Sequence, residues 1–320
     1  MSRAVSAPAS ELMSSATSPS QTWGALALLG PPNAGKSSLL NALAGKPLAG
    51  VTHKAQTTRR QQRVIVAHGA TQLVFMDTPG YLAPPRRLAR PLLEEAKGAC
   101  ADADGVCFVL DGALPLAHNG RMLRALLAQF PPAATPAFLL LNKLDKCTPA
   151  SVLAALDALK EAHAFRALVP VSARRGTGLA QLPPLLAGVC TRRGWRYAAG
   201  QATDWSEELR ACETTRMVLL RRLHEELPYG LRVVPQSWKE RKGALVIEQT
   251  ILVPEARQRA MVLGRNGQAI KAISMAARRA MEAGLEHKVH LFLRVELDKR
   301  MAADAPRPAR ARPKRAPAPS

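Results

Sequence analysis

The stretch "GALALLGPPNAGKSSLLNALAG", residues 24–45, decides the fold. An apolar run ends in a glycine, a second glycine and a lysine follow at fixed spacing, and a leucine-spaced run comes next. Gly30, Gly35, Lys36 and Ser37 fall in register with the phosphate-loop pattern G-x-x-x-x-G-K-[ST]. A pattern this short occurs by chance, so it needs a strand before it and a helix after it. Both are present: "GALALL" reads as a buried strand, and "KSSLLNALAG" as an amphipathic helix ending at Gly45.

The start of such a helix offers free backbone N–H groups and partial positive charge to a phosphate. Pro31 and Pro32 have no N–H, so donation begins at Asn33 and continues through Ala34, Gly35, Lys36, Ser37 and Ser38. Lys36 is placed to reach the outer phosphates, and Ser37 to ligate magnesium.

Three later motifs complete a nucleotide site. "DTPG" (Asp77, Thr78, Pro79, Gly80) closes the third expected strand, where Asp77 holds the magnesium shell and the Gly80 N–H meets a γ-phosphate. "NKLD" contributes Asn142, Lys143 and Asp145 at the end of the fifth strand. An aspartate there accepts hydrogen bonds from guanine N1–H and its exocyclic amine. Adenine offers neither donor, so Asp145 selects GTP over ATP. "SAR" (Ser172, Ala173, Arg174) ends the sixth strand and supports the guanine oxygen through its backbone. Each motif is weak alone, but their order at successive strand ends is specific.

Between the first helix and the second strand lies "KAQTTRRQQR", where a GTPase places the segment that closes over magnesium. Thr57 and Thr58 are the candidate metal ligands there, with Thr58 preferred. Lys36, Thr58 and Gly80 are thus the residues expected to act on the γ-phosphate. Tyr81 follows "DTPG" in place of a water-orienting glutamine, which implies slow intrinsic turnover. Asn33 is expected to help bind a potassium ion beside the phosphates in place of a cationic finger.

The surrounding chain is an α/β pattern from about residue 24 to 192, a P-loop domain with a mostly parallel sheet. Expected strands are 24–29, 62–68, 71–77, 105–111, 137–143 and 167–173. Only the second and third are joined tightly, by Gly69 and Ala70, so that pair should be antiparallel. Helices such as "GRMLRALLAQF" and "PASVLAALDALKEAHA" separate the others.

The pattern changes near residue 193. The expected organisation is a disordered extension 1–22, a nucleotide-binding domain 23–192, a linker 193–206, a second domain 207–298 and a basic tail 299–320. The second domain reads as helix, strand, strand, a Gly-x-x-Gly turn between helices, and strand. Its turn, "GRNG", spans Gly264, Arg265, Asn266 and Gly267, with Ile270 and Lys271 on the helix that follows. This order matches an α+β type II KH module, whose loop brings backbone close to the phosphates of about four nucleotides.

With 320 residues, two domains are expected, and no stretch is apolar enough for a membrane span. The net charge of +21 favours a polyanionic partner. Five scattered cysteines without a C-x-x-C pair, and dispersed histidines, argue against a zinc site and for reduced thiols in a cytosol-like compartment. The Ser/Ala-rich start lacks a secretory core, with an organellar matrix as the alternative location.

The motifs "GPPNAGKSSLLNALAG", "KAQTTR", "DTPG", "NKLD", "SAR", "ELPYGLRV" and "GRNGQAIKAI", in this order, resemble the Era family of GTPases, which carry a C-terminal KH domain. The resemblance runs from about Gly24 to Leu297. It implies a monomeric, GTP-controlled factor that alternates between GTP and GDP. It further implies binding near the 3′ end of small-subunit ribosomal RNA and assistance to 30S-type subunit biogenesis. Peripheral contact with the inner membrane is also implied. Pro31, Ser38 and Arg174 depart from the usual family residues. The rivals are a GTPase for another RNA or a membrane-linked checkpoint, and an RNA-binding protein that uses GTP as a switch.

Overall fold

The computed structural model describes residues 20–50, 62–78, 80, 90–132, 134–223, 231–285 and 287–302. The N-terminal domain comprises β1 (Thr22–Leu29), α1 (Lys36–Ala44), β2 (Gln62–His68), β3 (Thr71–Asp77), α2 (Arg90–Ala101), β4 (Gly105–Asp111) and α3 (Leu116–Gln129). It continues with β5 (Ala137–Asn142), α4 (Pro149–Lys160), β6 (Ala167–Pro170), α5 (Leu182–Ala187) and the two-residue β7 (Arg192–Arg193). The strand order is β2-β3-β1-β4-β5-β6, with β7 pairing antiparallel to β1.

β1 sits mid-sheet because nearly all of it is apolar. Its side chains alternate between the two faces, as a strand requires. Leu26 and Leu28 pack with Leu39, Leu40 and Leu186 on one side, while Ala25, Ala27 and Leu29 pack with Leu123 and Leu126 on the other. β3 and β4 flank β1 in parallel, and this arrangement brings the carboxyl ends of β1, β3, β4 and β5 to one edge. β2 and β3 form the antiparallel pair expected from their short turn.

The C-terminal domain comprises α6 (Glu207–Arg222), β8 (Arg232–Arg241), β9 (Ala244–Val253), α7 (Ala256–Leu263), α8 (Gln268–Leu285) and β10 (Lys288–Leu297). Its sheet order is β10-β9-β8, with β10 parallel and β8 antiparallel to β9. One core joins Leu219 of α6, Ile251 of β9, Val262 of α7 and Ala277 of α8. Ser206 caps α6 by accepting from the Leu209 N–H, and Glu207 and Glu208 in its first turn suit the helix dipole.

The chain between the domains is tied down. Arg192 donates to Asp104 and stacks on Trp23, and the Trp195 indole donates to the Ala70 carbonyl. Residues 202–204 then line the outer edge of β2: Ile65 N donates to Ala202 O at 2.9 Å, and Arg63 pairs with Asp204. That contact covers an otherwise open strand edge. Buried Gln62 donates to both Thr203 and the Leu48 carbonyl, joining this segment to the loop after α1. A cleft of about 340 Å³ lies between the domains, lined by Leu48, Gly50, Met217, Val218 and Met281 among others.

Candidate functional site

The phosphate loop leaves β1 at Gly30 and enters α1 at Lys36. Gly35 precedes the helix with φ 95°, and a Cβ there would lie 2.2 Å from the Asn142 amide nitrogen. Glycine is required on both counts, conformation and space. Asn33 also has positive φ, at 64°, on the exposed crown of the loop. The Ala34 N–H turns back to the Pro31 carbonyl at 3.3 Å, and its own carbonyl accepts from Asn142. Ser38 sits half-buried in the first turn of α1.

Lys36 is nearly wholly buried. Its Nζ donates to the carbonyls of Gly30 and Pro31 at 3.0 and 3.1 Å. Burial pushes its ammonium down to about 8, and nearby Asp77 partly offsets this. A polyphosphate at the loop would supply the charge that favours the protonated form.

The Ser37 hydroxyl donates to the Asp77 carboxylate at 3.0 Å. Asp77, at the end of β3, is 1% exposed, so a serine and a carboxylate oxygen are juxtaposed beside the loop. An all-oxygen pair of this kind fits a hard divalent cation such as Mg²⁺, which would neutralise phosphate charge. Thr57, Thr58, Pro79 and Tyr81 lie outside the described residues. Gly80 is described, and a Cβ on it would meet Pro32 Cα at 2.7 Å, so it packs directly against the phosphate loop. The Thr78 hydroxyl is buried and donates to the Leu28 carbonyl, which anchors the motif to β1.

At the other end of the pocket, Asn142 is a clamp. Its Nδ2 donates to Ala34 O at 2.9 Å, and its Oδ1 accepts from Ala173 N at 3.1 Å. It therefore ties the phosphate loop to the loop after β6. Lys143 adopts positive φ (69°) and pairs with Asp111 at 2.6 Å. The Ser172 hydroxyl donates to Asp145 at 2.7 Å, and this bond holds the Asp145 carboxyl below its usual range. Arg174 and Arg175 add to that effect through their charges. Asp145 is thus ready to accept from a guanine edge, while Arg174 itself stands exposed.

One contributor was missed in the sequence. Asp111 anchors Lys143; an acid at the end of an apolar strand run was its available signal. Asn142 was named from the sequence, but its role as a clamp between loops is one that only the tertiary structure reveals.

The second site lies between α7 and α8. Gly264 has φ 70°, and a Cβ there would meet the Ala269 Cβ at 2.5 Å, so the loop cannot close with a larger residue. Asn266 and Gly267 also take positive φ. Arg265, Asn266 and Lys271 are exposed, and Ile270 is half-buried against the domain core. Met261 on α7 and Met275 on α8 expose apolar surface on the two flanking helices; neither was singled out in the sequence, although both fall in helical runs.

Two family models match the chain: one described as 50S ribosome-binding GTPase over residues 25–143, and the KH domain over residues 226–302. GTPase Era of Maricaulis maris is 38% identical over 292 residues, covering 88% of this chain and 93% of that protein. GTPase Era of Rhizobium meliloti is 39% identical over 285 residues, covering 89% and 90%. In structure, a tyrosine-to-alanine variant of Aquifex aeolicus Era bound to GDP and aluminium fluoride superposes with a TM-score of 0.79 at 28% identity, covering 87% of this chain and 94% of that one. Era in complex with MgGDPNP and nucleotides 1506–1542 of 16S ribosomal RNA gives 0.78 at 28% identity, with the same coverage. With the phosphate loop, the strand-end motifs and the Gly-x-x-Gly turn all in place, this chain belongs to the Era family of GTPases with a C-terminal KH domain.

Proposed function

We propose that the protein is a GTP-controlled factor of small ribosomal subunit biogenesis that binds the 3′ region of small-subunit ribosomal RNA. The observation that carries this reading is its likeness, over 87% of the chain, to an Era solved with MgGDPNP and a 16S fragment. In this reading Lys36 and the N–H groups from Asn33 to Ser38 hold the phosphates. Ser37, Asp77 and Thr58 hold Mg²⁺, and Asp145 chooses guanine. Gly264, Arg265, Asn266, Gly267, Ile270 and Lys271 meet the RNA.

Crosslinking the protein in cells and sequencing the attached RNA tests this. Enrichment at the 3′ end of the small-subunit RNA is expected; enrichment elsewhere would assign the factor to another RNA.

The exposed, left-handed Asn33 supports a potassium site beside the phosphates. Hydrolysis should then run faster in potassium than in sodium, and equal rates would remove that ion from the account. We place the protein in the cytosol, as a monomer with peripheral contact to the inner membrane. No helix among the described residues is long and apolar enough to cross a membrane.

A further inference from the structure

The C-terminal sheet has two unlike faces. Its inner face packs on the helices through Trp238, Ile247, Ile251 and Val289. On the outer face, the alternation of β10 sends out Lys288, His290, Phe292 and Arg294, all exposed. The strand register sets Arg241 of β8 in the row of Lys288, and Lys239 in the row of His290. Phe292 is 58% exposed and is the one exposed Phe, Trp or Tyr ring among the described residues.

A lone exposed phenylalanine needs no explanation. This one stands among four Lys and Arg side chains, none of which forms an ion pair among the described residues. The carboxylates on the face are Glu248, in the row of Phe292, and Glu296, which shares its row with Arg232. The balance remains cationic. A flat ring amid phosphate-seeking cations is the arrangement that single-stranded nucleic acid uses, with a base on the ring and the backbone along the charges.

The location fits the same strand of RNA. β10 is an edge strand, and the helices flanking the Gly264–Gly267 loop pack on its inner side. An RNA leaving that loop can pass round β10 onto the outer face. A duplex is the poorer fit, because its bases are stacked and offer no free face to a protruding ring.

We propose that the outer face of this sheet is a second RNA surface, which takes single-stranded RNA continuing from the Gly264–Gly267 loop and stacks a base on Phe292. The proposal rests on the RNA-binding reading of the C-terminal domain. It extends the contact beyond the about four nucleotides that a Gly-x-x-Gly loop holds.

The test uses the full chain and two single-stranded oligoribonucleotides, one of about 4 nucleotides that the loop alone can hold and one several times longer. Phe292→Ala should weaken the longer RNA roughly 5- to 100-fold, the range for one lost stacking platform, and leave the shorter one unchanged. Phe292→Trp should restore the long-RNA affinity. Lys288→Gln with Arg294→Gln should lower the log–log salt slope for the longer RNA by about 1.4, for two phosphates at about 0.7 each. These side chains are exposed, so unchanged melting temperature and GTP turnover should accompany the effects. Unchanged long-RNA affinity and slope in these variants overturns the proposal if Gly264→Asp with Gly267→Asp weakens both RNAs. Such a result would leave the face to a protein partner or to solvent. If the loop variant binds both RNAs as the wild type does, the RNA reading of the loop falls, and this proposal with it.

Discussion

At the nucleotide pocket, Lys36, Asp77, Asn142 and Ser172 are all nearly buried and hydrogen-bonded, Lys36 to carbonyls of its own phosphate loop and the other three to groups from other parts of the chain. At the Gly264–Gly267 loop, Arg265, Asn266 and Lys271 stand in solvent, and the shape comes from positive-φ backbone rather than from side-chain bonds. The first arrangement fixes polar groups before the ligand arrives. A wrong base then leaves a carboxylate unmatched, which is costly. The second gives close access to a backbone and lets charge do the holding, which suits a long polyanion and carries little base selectivity. The same chain thus recognises one ligand by fixed hydrogen bonds and the other by approach and charge.

The contrast is open to mutation. The largest effect is expected at Asp145: Asp145→Asn should cut the preference for GTP over xanthosine triphosphate by about 10⁴-fold or more, because the pairing pattern reverses. Competition binding with the two nucleotides measures this, and RNA affinity should stay as it was. Next in size, Lys36→Ala should slow hydrolysis roughly 10²- to 10³-fold, the usual loss for one charge-stabilising donor. Single-turnover assays with and without RNA would show it.

On the other side of the comparison, Gly264→Asp with Gly267→Asp places acid against phosphate and steric bulk against Ala269. RNA affinity should fall by about tenfold or more, given like-charge repulsion and lost approach, while GTP binding is retained. Filter binding and nucleotide titration on one preparation would check both. If GTP binding falls as well, the two sites are not separable in the way described.

How much of this could be read in advance depends on the range of the interaction. β2, β3 and β4 run over the residues expected, since each is an apolar or β-branched run with sharp ends. β6 stops at Pro170 rather than reaching 173. Ser172 leaves the sheet because its N–H and carbonyl bond to Thr177 and Gly176, closing the loop that presents its hydroxyl to Asp145. α3 begins at Leu116, ahead of the expected Gly120, directly after Pro115, which sits at the N-cap with φ −54° and ψ 141°, where its missing N–H removes no helical bond.

Site residue types were legible because their spacing encodes local loop geometry. The links between loops were not. Asn142 reaches Ala34 across 108 positions of chain, and Lys143 reaches Asp111 across 32. No local pattern marks such a pair. The outer face of β10 does alternate visibly in "HKVHLFLRVEL", but its meaning needs β8 alongside it.

The smallest expected effect concerns pH. The Ser172 hydroxyl holds Asp145 below the ordinary carboxylate range, so Asp145 stays ionised at neutral pH and its contribution fades only as pH falls through that lowered value. Ser172→Ala should move its titration up toward the ordinary value of about 3.9. Carbon-detected NMR of the Asp145 carboxyl would follow the shift, and an unmoved titration would assign the effect to the backbone hydrogen bond at Asp145 and to Arg174 and Arg175 instead.

The most direct test of the whole account is the affinity of the full chain, loaded with a non-hydrolysable GTP analogue and Mg²⁺, for the 3′-terminal segment of small-subunit ribosomal RNA against a permuted strand of equal length and composition. Tighter binding of the native segment by at least about tenfold, a difference that hydrogen bonds to bases can supply, is the predicted result. Equal binding of the two at physiological salt would contradict it.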